Sequence, residues 1–284
     1  MRRQGRKVVF TFLMTCSLLW PGLAWSDPPV PHNDPVTGQQ PHKTRFRVFD
    51  GTTFRHKPRL SQYGMEPVNL VYEGSLFNEH ASPQSMPSIM DIERVALSAK
   101  TARGITIIDV ERWLWLPDGA HRYAELMQRM KEINPELKTG YYSIVPKRDY
   151  WRAKEKTDSK EYRDWQREND QLQPVADSVN YLFPSLYTFY DYQPGWVAYA
   201  EANISEARRL AKGKPVYVFL WPSYHESNAQ LKGKLIPADF WRLQLETAKR
   251  LADGVVIWGG SKWDPAAPWW LETKKFLESL KDKE

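Results

Sequence analysis

A chain of 284 residues, 42% of them hydrophobic, has material for one barrel or two average domains and for a sizeable core. The formal charge of +6 falls to +2 once the first 26 residues, with Arg2, Arg3, Arg6 and Lys7, are set aside; the remainder has no charge excess that calls for a nucleic-acid partner. The single cysteine, Cys16, lies in the same segment, so the rest of the chain has no disulfide, no thiol nucleophile and no cysteine metal site.

Residues 1–26 read as a secretory signal peptide. A basic start is followed by the apolar run VVFTFLMTCSLLW and by Ala24-Trp25-Ser26, a small-x-small cleavage site. The run is too short to span a bilayer and is broken near its end by Pro21. The expected location is secreted or periplasmic, with cleavage after Ser26 and no stable membrane association afterwards. Residues 27–61, rich in Pro, Gly, His and charge, are expected to form an extended or partly disordered leader. Residues 62–284 then carry a periodic pattern and are expected to form one domain.

That pattern begins with a strand around Val68–Glu73. A helix follows over PSIMDIERVALSAK, with Ser88 as N-cap. ITIIDVE is a strand, GAHRYAELMQRMKEI a helix that ends before Asn134-Pro135, and KTGYYSIVP a strand closed by Pro146. Helix-forming residues run from Ser159 to Val179, interrupted by Pro174. YLFPSLYTF reads as a strand despite Pro184. GWVAYAEANISEARRLA is a helix stopped by Gly213, PVYVFLW a strand, and IPADFWRLQLETAKRLA a helix with Pro237 near its start. GVVIWGG and PWWLETKKFLESL supply the last strand and helix. Such alternation predicts a parallel sheet covered by helices. No G-x-G-x-x-G or G-x-x-x-x-G-K-[ST] follows the first strand, so a nucleotide-binding open sheet has no support. Polar and aromatic residues recur at strand ends, as in a (β/α) TIM-like barrel. The expected fold is such a barrel, distorted, with seven or eight strands.

The stretch GITIIDVERW poses the chemical question. An apolar run that reads as buried on both faces ends in Asp109 and Glu111, although carboxylates are rarely buried without partners. Alternation along the strand puts Ile107, Asp109 and Glu111 on one face and Ile108 and Val110 on the other. Two close carboxylates do not both ionise cheaply, so the pair retains a proton toward neutral pH. A glycosidic oxygen needs such a general acid; the plainer alternative is a solvated acid pair bridged to Arg112. The other strand ends bring Tyr141, Tyr142, Tyr187, Trp221 and Trp258. Singly each fits a core, but together they would wall a carbohydrate cleft.

These segments resemble the hyaluronidase-type glycoside hydrolases. Asp109-Val110-Glu111-Arg112-Trp113 is similar to their D-W-E-x-W, and Gly140-Tyr141-Tyr142 with Pro146 to their G-F/Y-Y segment. Asn169-Asp170-Gln171-Leu172, Phe183-Pro184-Ser185-Leu186-Tyr187 and Gly254-Val255-Val256-Ile257-Trp258 are similar to their N-D-Q-L, Y-P-S-I-Y and G-V-V-x-W. The resemblance spans Val68 to Gly260. It implies a retaining endo-glycosidase that cuts a glycan containing N-acetylhexosamine, using the substrate's own acetamide as nucleophile. Glu111 would be the general acid/base and Asp109 would steady the acetamide. Tyr142 and Tyr187 would surround it, and Trp258 would stand behind. The chain departs from the family in lacking disulfides and an extra small domain. It also differs at Val145-Pro146-Lys147-Arg148-Asp149-Tyr150, and at Tyr72-Glu73 where the family has a Trp-Asn-like pair. Lys147, Arg148 and Arg152 read as a basic rim or as a solvated face.

Glu73 also ends a strand. Facing Glu111 across the barrel, it would make a two-carboxylate glycosidase acting on a neutral glucan; a non-catalytic glycan-binding barrel is the third reading. Asp191, Glu226 and Asp264 are weaker candidates for the same role as Glu73. The six histidines form no H-x-x-x-H or H-E-x-x-H pair and no G-x-S-x-G occurs, so neither a zinc hydrolase nor a serine hydrolase is expected. No cofactor or metal is expected; the expected partner is a polysaccharide or oligosaccharide, bound by Tyr142, Tyr187, Trp221, Trp258 and Glu73.

Overall fold

The computed structural model describes residues 45–281 except 115 and 261. The expected signal peptide lies outside the described residues, as does most of the expected leader. Six parallel strands make one sheet in the order β4-β3-β2-β1-β6-β5. They are β1 (Arg47–Thr52), β2 (Glu66–Tyr72), β3 (Ile105–Asp109), β4 (Thr139–Tyr141), β5 (Tyr217–Leu220) and β6 (Gly254–Gly259). The helices are α1 (Ile89–Thr101), α2 (Gly119–Ile133), α3 (Lys160–Asp170), α4 (Gln173–Ser178), α5 (Gln193–Ala211), α6 (Ala238–Leu251) and α7 (Pro268–Lys281).

Two expectations are corrected. The leader was expected to run extended to Ser61, yet residues 47–52 of it form β1, paired on both sides at the middle of the sheet. RVFDGT carries only two large apolar residues, so it hides among its charged neighbours. Its pairing comes from contacts distant in the chain. The strand expected over YLFPSLYTF is not continuous. Pro184 has no N–H to donate to a ladder, and residues 180–188 make isolated parallel bridges instead. They join Tyr142 through Phe183 on the β4 side, and Val216 and Phe219 through Leu182 and Ser185 on the β5 side. This irregular seventh segment closes the sheet into a distorted TIM-like barrel.

Helix boundaries follow local chemistry. Ser88 caps α1 by accepting from the Asp91 N–H at 3.1 Å, and Ser159 caps α3 by accepting from the Tyr162 N–H at 3.1 Å. Pro174, tolerated only in a first turn, separates α3 from α4. The strand periodicity then sorts side chains between two environments. Ile108 and Val110 face outward against Ile92, Val95, Leu126 and Met127 of α1 and α2, while Val218, Leu220, Val255 and Ile257 pack under α5, α6 and α7. Facing inward are Phe49, Ile107, Tyr142, Phe183, Phe219 and Val256. Each such side chain, fully removed from water, contributes about 1.5–3 kcal/mol.

The amino-terminal end of the barrel is plugged. Arg47 projects inward, donates from Nε to Glu66 Oε1 at 2.9 Å and from Nη1 to the Tyr217 hydroxyl at 3.1 Å, and lies 4.6 Å from the Phe49 ring centroid. The opposite end, at the carboxyl termini of the strands, is where loops and polar residues gather.

Candidate active site

Asp109 is the last residue of β3, beside Tyr72 in the register with β2. It shares the inward face with Ile107 and is half-buried. Loss of hydration, then the charges of Glu111 and Glu73, push its pKa up to about 7. Glu111 stands past the end of the strand at the solvent-facing lip, where the chain turns through the Leu114 N–H to Glu111 carbonyl hydrogen bond. Desolvation raises its pKa as well; Arg148 pulls it down and Glu73 adds to the rise. The two carboxyls thus form a graded pair, one deep and one at the surface, within reach of each other's charge.

Glu73 does not face this pair from across the barrel. It follows β2, next to β3, and accepts a hydrogen bond from Arg112 Nε at 2.9 Å. Its charge acts on both acids, while its own carboxylate is held by Arg112, whose guanidinium covers the Phe77 ring at 3.8 Å. Asp191, Glu226 and Asp264 are all exposed, and Asp264 caps a turn by accepting from the Ala266 N–H at 2.9 Å. Trp113, the retained tryptophan of the acid motif, is not in the cleft. It is fully buried on the helix side, against Phe77 and Tyr123.

The opposite wall is aromatic. Tyr142, just past β4, and Tyr187, in the irregular seventh segment, are buried with ring centroids 5.9 Å apart. The Tyr142 hydroxyl also lies 3.2 Å from Ser185 Oγ. Burial first, with Glu111 adding to it, pushes Tyr142 up to about 12. Tyr187 is raised further by burial and by its neighbour Tyr142, and it also feels the charges of Asp109 and Glu111. Both hydroxyls therefore stay protonated. Tyr141 points the other way and donates to the Tyr123 carbonyl at 2.8 Å, inside the core.

Trp258 of β6 stacks on Tyr187 at 5.8 Å and 26°, and Trp221, just past β5, meets both edge-on. Trp258 Nε1 donates to the Tyr72 hydroxyl at 3.3 Å, reaching across β1. Gly51, the register partner of Trp258, lies on β1 between the two strands. A Cβ on Gly51 would stand 2.9 Å from Val256 Cγ1 and 3.1 Å from the Ile257 carbonyl oxygen.

Loops supply two residues that strand periodicity could not find. Arg148 follows the cis Val145–Pro146 bond. Its guanidinium lies 5.1 Å from the Phe189 ring centroid, and its charge acts on Glu111, Tyr142 and His225. Its backbone is pinned from α3: Asn169 Oδ1 accepts from the Lys147 N–H at 2.7 Å, and Trp165 Nε1 donates to the Lys147 carbonyl at 2.8 Å. Asn169, the first residue of the N-D-Q-L resemblance, thus holds a loop and does not line the cleft. Of the expected basic rim, Lys147 and Arg152 are ion-paired with Glu168 at 2.7 Å, and Arg152 also with Asp149. Only Arg148 turns its charge toward the acids. His225 rests on Phe189 at 4.7 Å and beside Tyr187 at 6.2 Å. Burial, then Arg148, lowers its pKa to about 4, so it is neutral near pH 7.

No family model matches the sequence, and no curated protein matches it by sequence. Among solved structures the chain is similar to bee venom hyaluronidase, with a TM-score of 0.58 and 16% identity, covering 84% of this chain and 97% of that one. The same enzyme in complex with a hyaluronic acid tetramer gives a TM-score of 0.57 and 16% identity over 84% and 96% of the two chains. The fold is a distorted TIM-like barrel shared with these structures.

Proposed function

We propose that the protein is a secreted retaining endo-glycosidase that cleaves a glycan containing N-acetylhexosamine by substrate-assisted general acid/base catalysis. The observation that carries this reading is the graded Asp109–Glu111 pair at the carboxyl end of β3, set against the Tyr142–Tyr187 hydroxyls and Trp258. Glu111, at the lip, gives its proton to the glycosidic oxygen as the bond to the anomeric carbon breaks. The acetamide carbonyl oxygen of the same sugar bonds to that carbon, giving an oxazolinium. Asp109 accepts the acetamide N–H and meets the positive charge; the two tyrosine hydroxyls orient the group. Water then opens the ring, losing a proton to Glu111 and restoring it.

A separate enzymic nucleophile is unnecessary on this route, an exception to the usual pair of flanking carboxylates. The Arg112 clamp on Glu73, and its position next to the acids, weigh against Glu73 as such a nucleophile. The test is reducing-end release from a polysaccharide panel. Glu111→Gln is expected to lower the rate by about 10²–10⁴ with an unchanged circular-dichroism spectrum. Equal turnover by that variant would defeat the proposal, and binding without turnover in the wild type would leave a glycan-binding barrel.

A further inference from the structure

An aromatic track leaves the cleft and ends at the surface. From Tyr187 it passes to His225, then to Phe189 at 4.7 Å, to Tyr150 at 6.2 Å, and on to Trp151 and Tyr190 at 5.2 and 4.9 Å. Trp151 and Tyr190 lie 5.5 Å apart. They come from loops after β4 and after the seventh segment, at the same end of the barrel as Asp109. Trp151 is 61% exposed and Tyr190 41%, although tryptophan is seldom left so open in a structural role. The positions are anchored. Asp149 Oδ1 accepts from the Trp151 and Arg152 N–H groups at 3.0 and 2.8 Å, and Arg152 is clamped by Glu168. Lys154 Nζ sits 3.8 Å from the Tyr150 centroid and 4.6 Å from that of Trp151. Among the described residues it has no carboxylate within ion-pairing distance.

We propose that Trp151, with Tyr190 beside it, is a distal sugar-binding platform. It would stack a pyranose ring of the same glycan chain whose N-acetylhexosamine occupies the cleft, several sugars from the bond that is cut. The inference rests on the glycosidase reading of the cleft. The occupant follows from continuity: the track is unbroken from the cleft outward, and flat aromatic faces with a polar edge suit a sugar ring. Arg148 and Lys154 stand along it as hydrogen-bond donors for hydroxyl or carboxylate oxygens. Trp151 is thereby a specificity residue for chain length and takes no part in bond cleavage.

The test uses the full chain carrying Glu111→Gln and measures dissociation constants by calorimetry. The probes are hyaluronan oligosaccharides and N-acetylated chitin oligosaccharides of four and of eight or more sugars. The longer oligomers of at least one series are expected to bind about tenfold tighter than the tetramers. Trp151→Ala should remove most of that advantage, a five- to tenfold effect as expected for one lost aromatic stack, and Trp151→Phe should keep it. Tyr190→Ala should reduce it less. An advantage that survives Trp151→Ala overturns the platform, as does a Trp151→Ala effect confined to self-association in sedimentation. If the wild type releases reducing ends from a polymer and the advantage survives, only the platform falls. If no oligomer binds and nothing is cleaved, the glycosidase reading falls and takes the platform with it.

Discussion

Asp109→Asn should stabilise the protein while disabling it. An aspartate in the unfolded chain ionises near 3.8, whereas burial and two neighbouring acids hold Asp109 at about 7. Between those values the folded state binds the proton more tightly, so stability falls as pH rises from about 4 to 7 and stays reduced above 7. At ~1.36 kcal/mol per pH unit the ceiling is about 4 kcal/mol. Residual solvent contact and relaxation of the site reduce this to about 2 kcal/mol. Asparagine has no charge to desolvate, so at pH 8 the variant should gain about 2 kcal/mol, or ~4–8 °C in Tm for a domain of this size. The assay is thermal unfolding of both proteins from pH 3.5 to 8, with reducing-end release measured in parallel. The Tm gap should open between pH 4 and 7 and be absent near pH 3.5. A variant no more stable at pH 8, or a gap that does not change with pH, would refute the argument that burial and the neighbouring acids raise the pKa of Asp109.

Three further outcomes are expected. Arg148→Met removes the positive charge that holds Glu111 down, so the alkaline limb of any pH–rate profile should move to higher pH; a limb that stays or moves to lower pH would contradict the placement of Arg148. Gly51→Ala puts a methyl 2.9 Å from Val256 Cγ1 and 3.1 Å from the Ile257 carbonyl oxygen; it should cost about 1–3 kcal/mol in denaturant titrations, and an unchanged midpoint would contradict that close packing. Glu168→Gln loosens the clamp on Lys147 and Arg152. Glu168 is held at about 2, first by Arg152, against an ordinary 4.5, so its contribution is complete above pH 4.5 and lost as pH falls toward 2. Discounted for its partly exposed side chain, the deficit of the variant should be ~1 kcal/mol at pH 7 and shrink in acid, as followed by urea midpoints.

Most of the barrel is legible in the sequence because its strands and helices carry their own periodicities. Ser88 and Pro237 mark helix starts that the structure keeps, and the interruption at Pro174 becomes the start of α4. The first strand is not legible, since Arg47, Asp50 and Gly51 make it look like a charged leader; β2 and β6 impose its pairing from both sides. The seventh segment is legible as extended but not as broken, because Pro184 removes only one donor and the bridges around it depend on β4 and β5. At the site, an apolar run ending in acids identifies Asp109 and Glu111 as the place to look. Alternation does not say that Asp109 is the deeper of the two, which depends on where β3 ends. Arg148, His225 and Phe189 sit in loops, where no period links a residue to the cleft. Trp113 misleads for the opposite reason: its motif is local, and its burial on the helix side is decided by Phe77 and Tyr123.

The guanidinium that stoppers the floor has a consequence for how a polymer could be handled. With Arg47 tied to Glu66 and Tyr217 beneath the packed layer of Phe49, Ile107, Phe183 and Phe219, the barrel is closed below and opens only at the carboxyl ends of its strands. Whatever binds at the acids enters and leaves by the same mouth. Every group that could meet a ligand there, from Asp109 to Trp258, is therefore gathered at one rim.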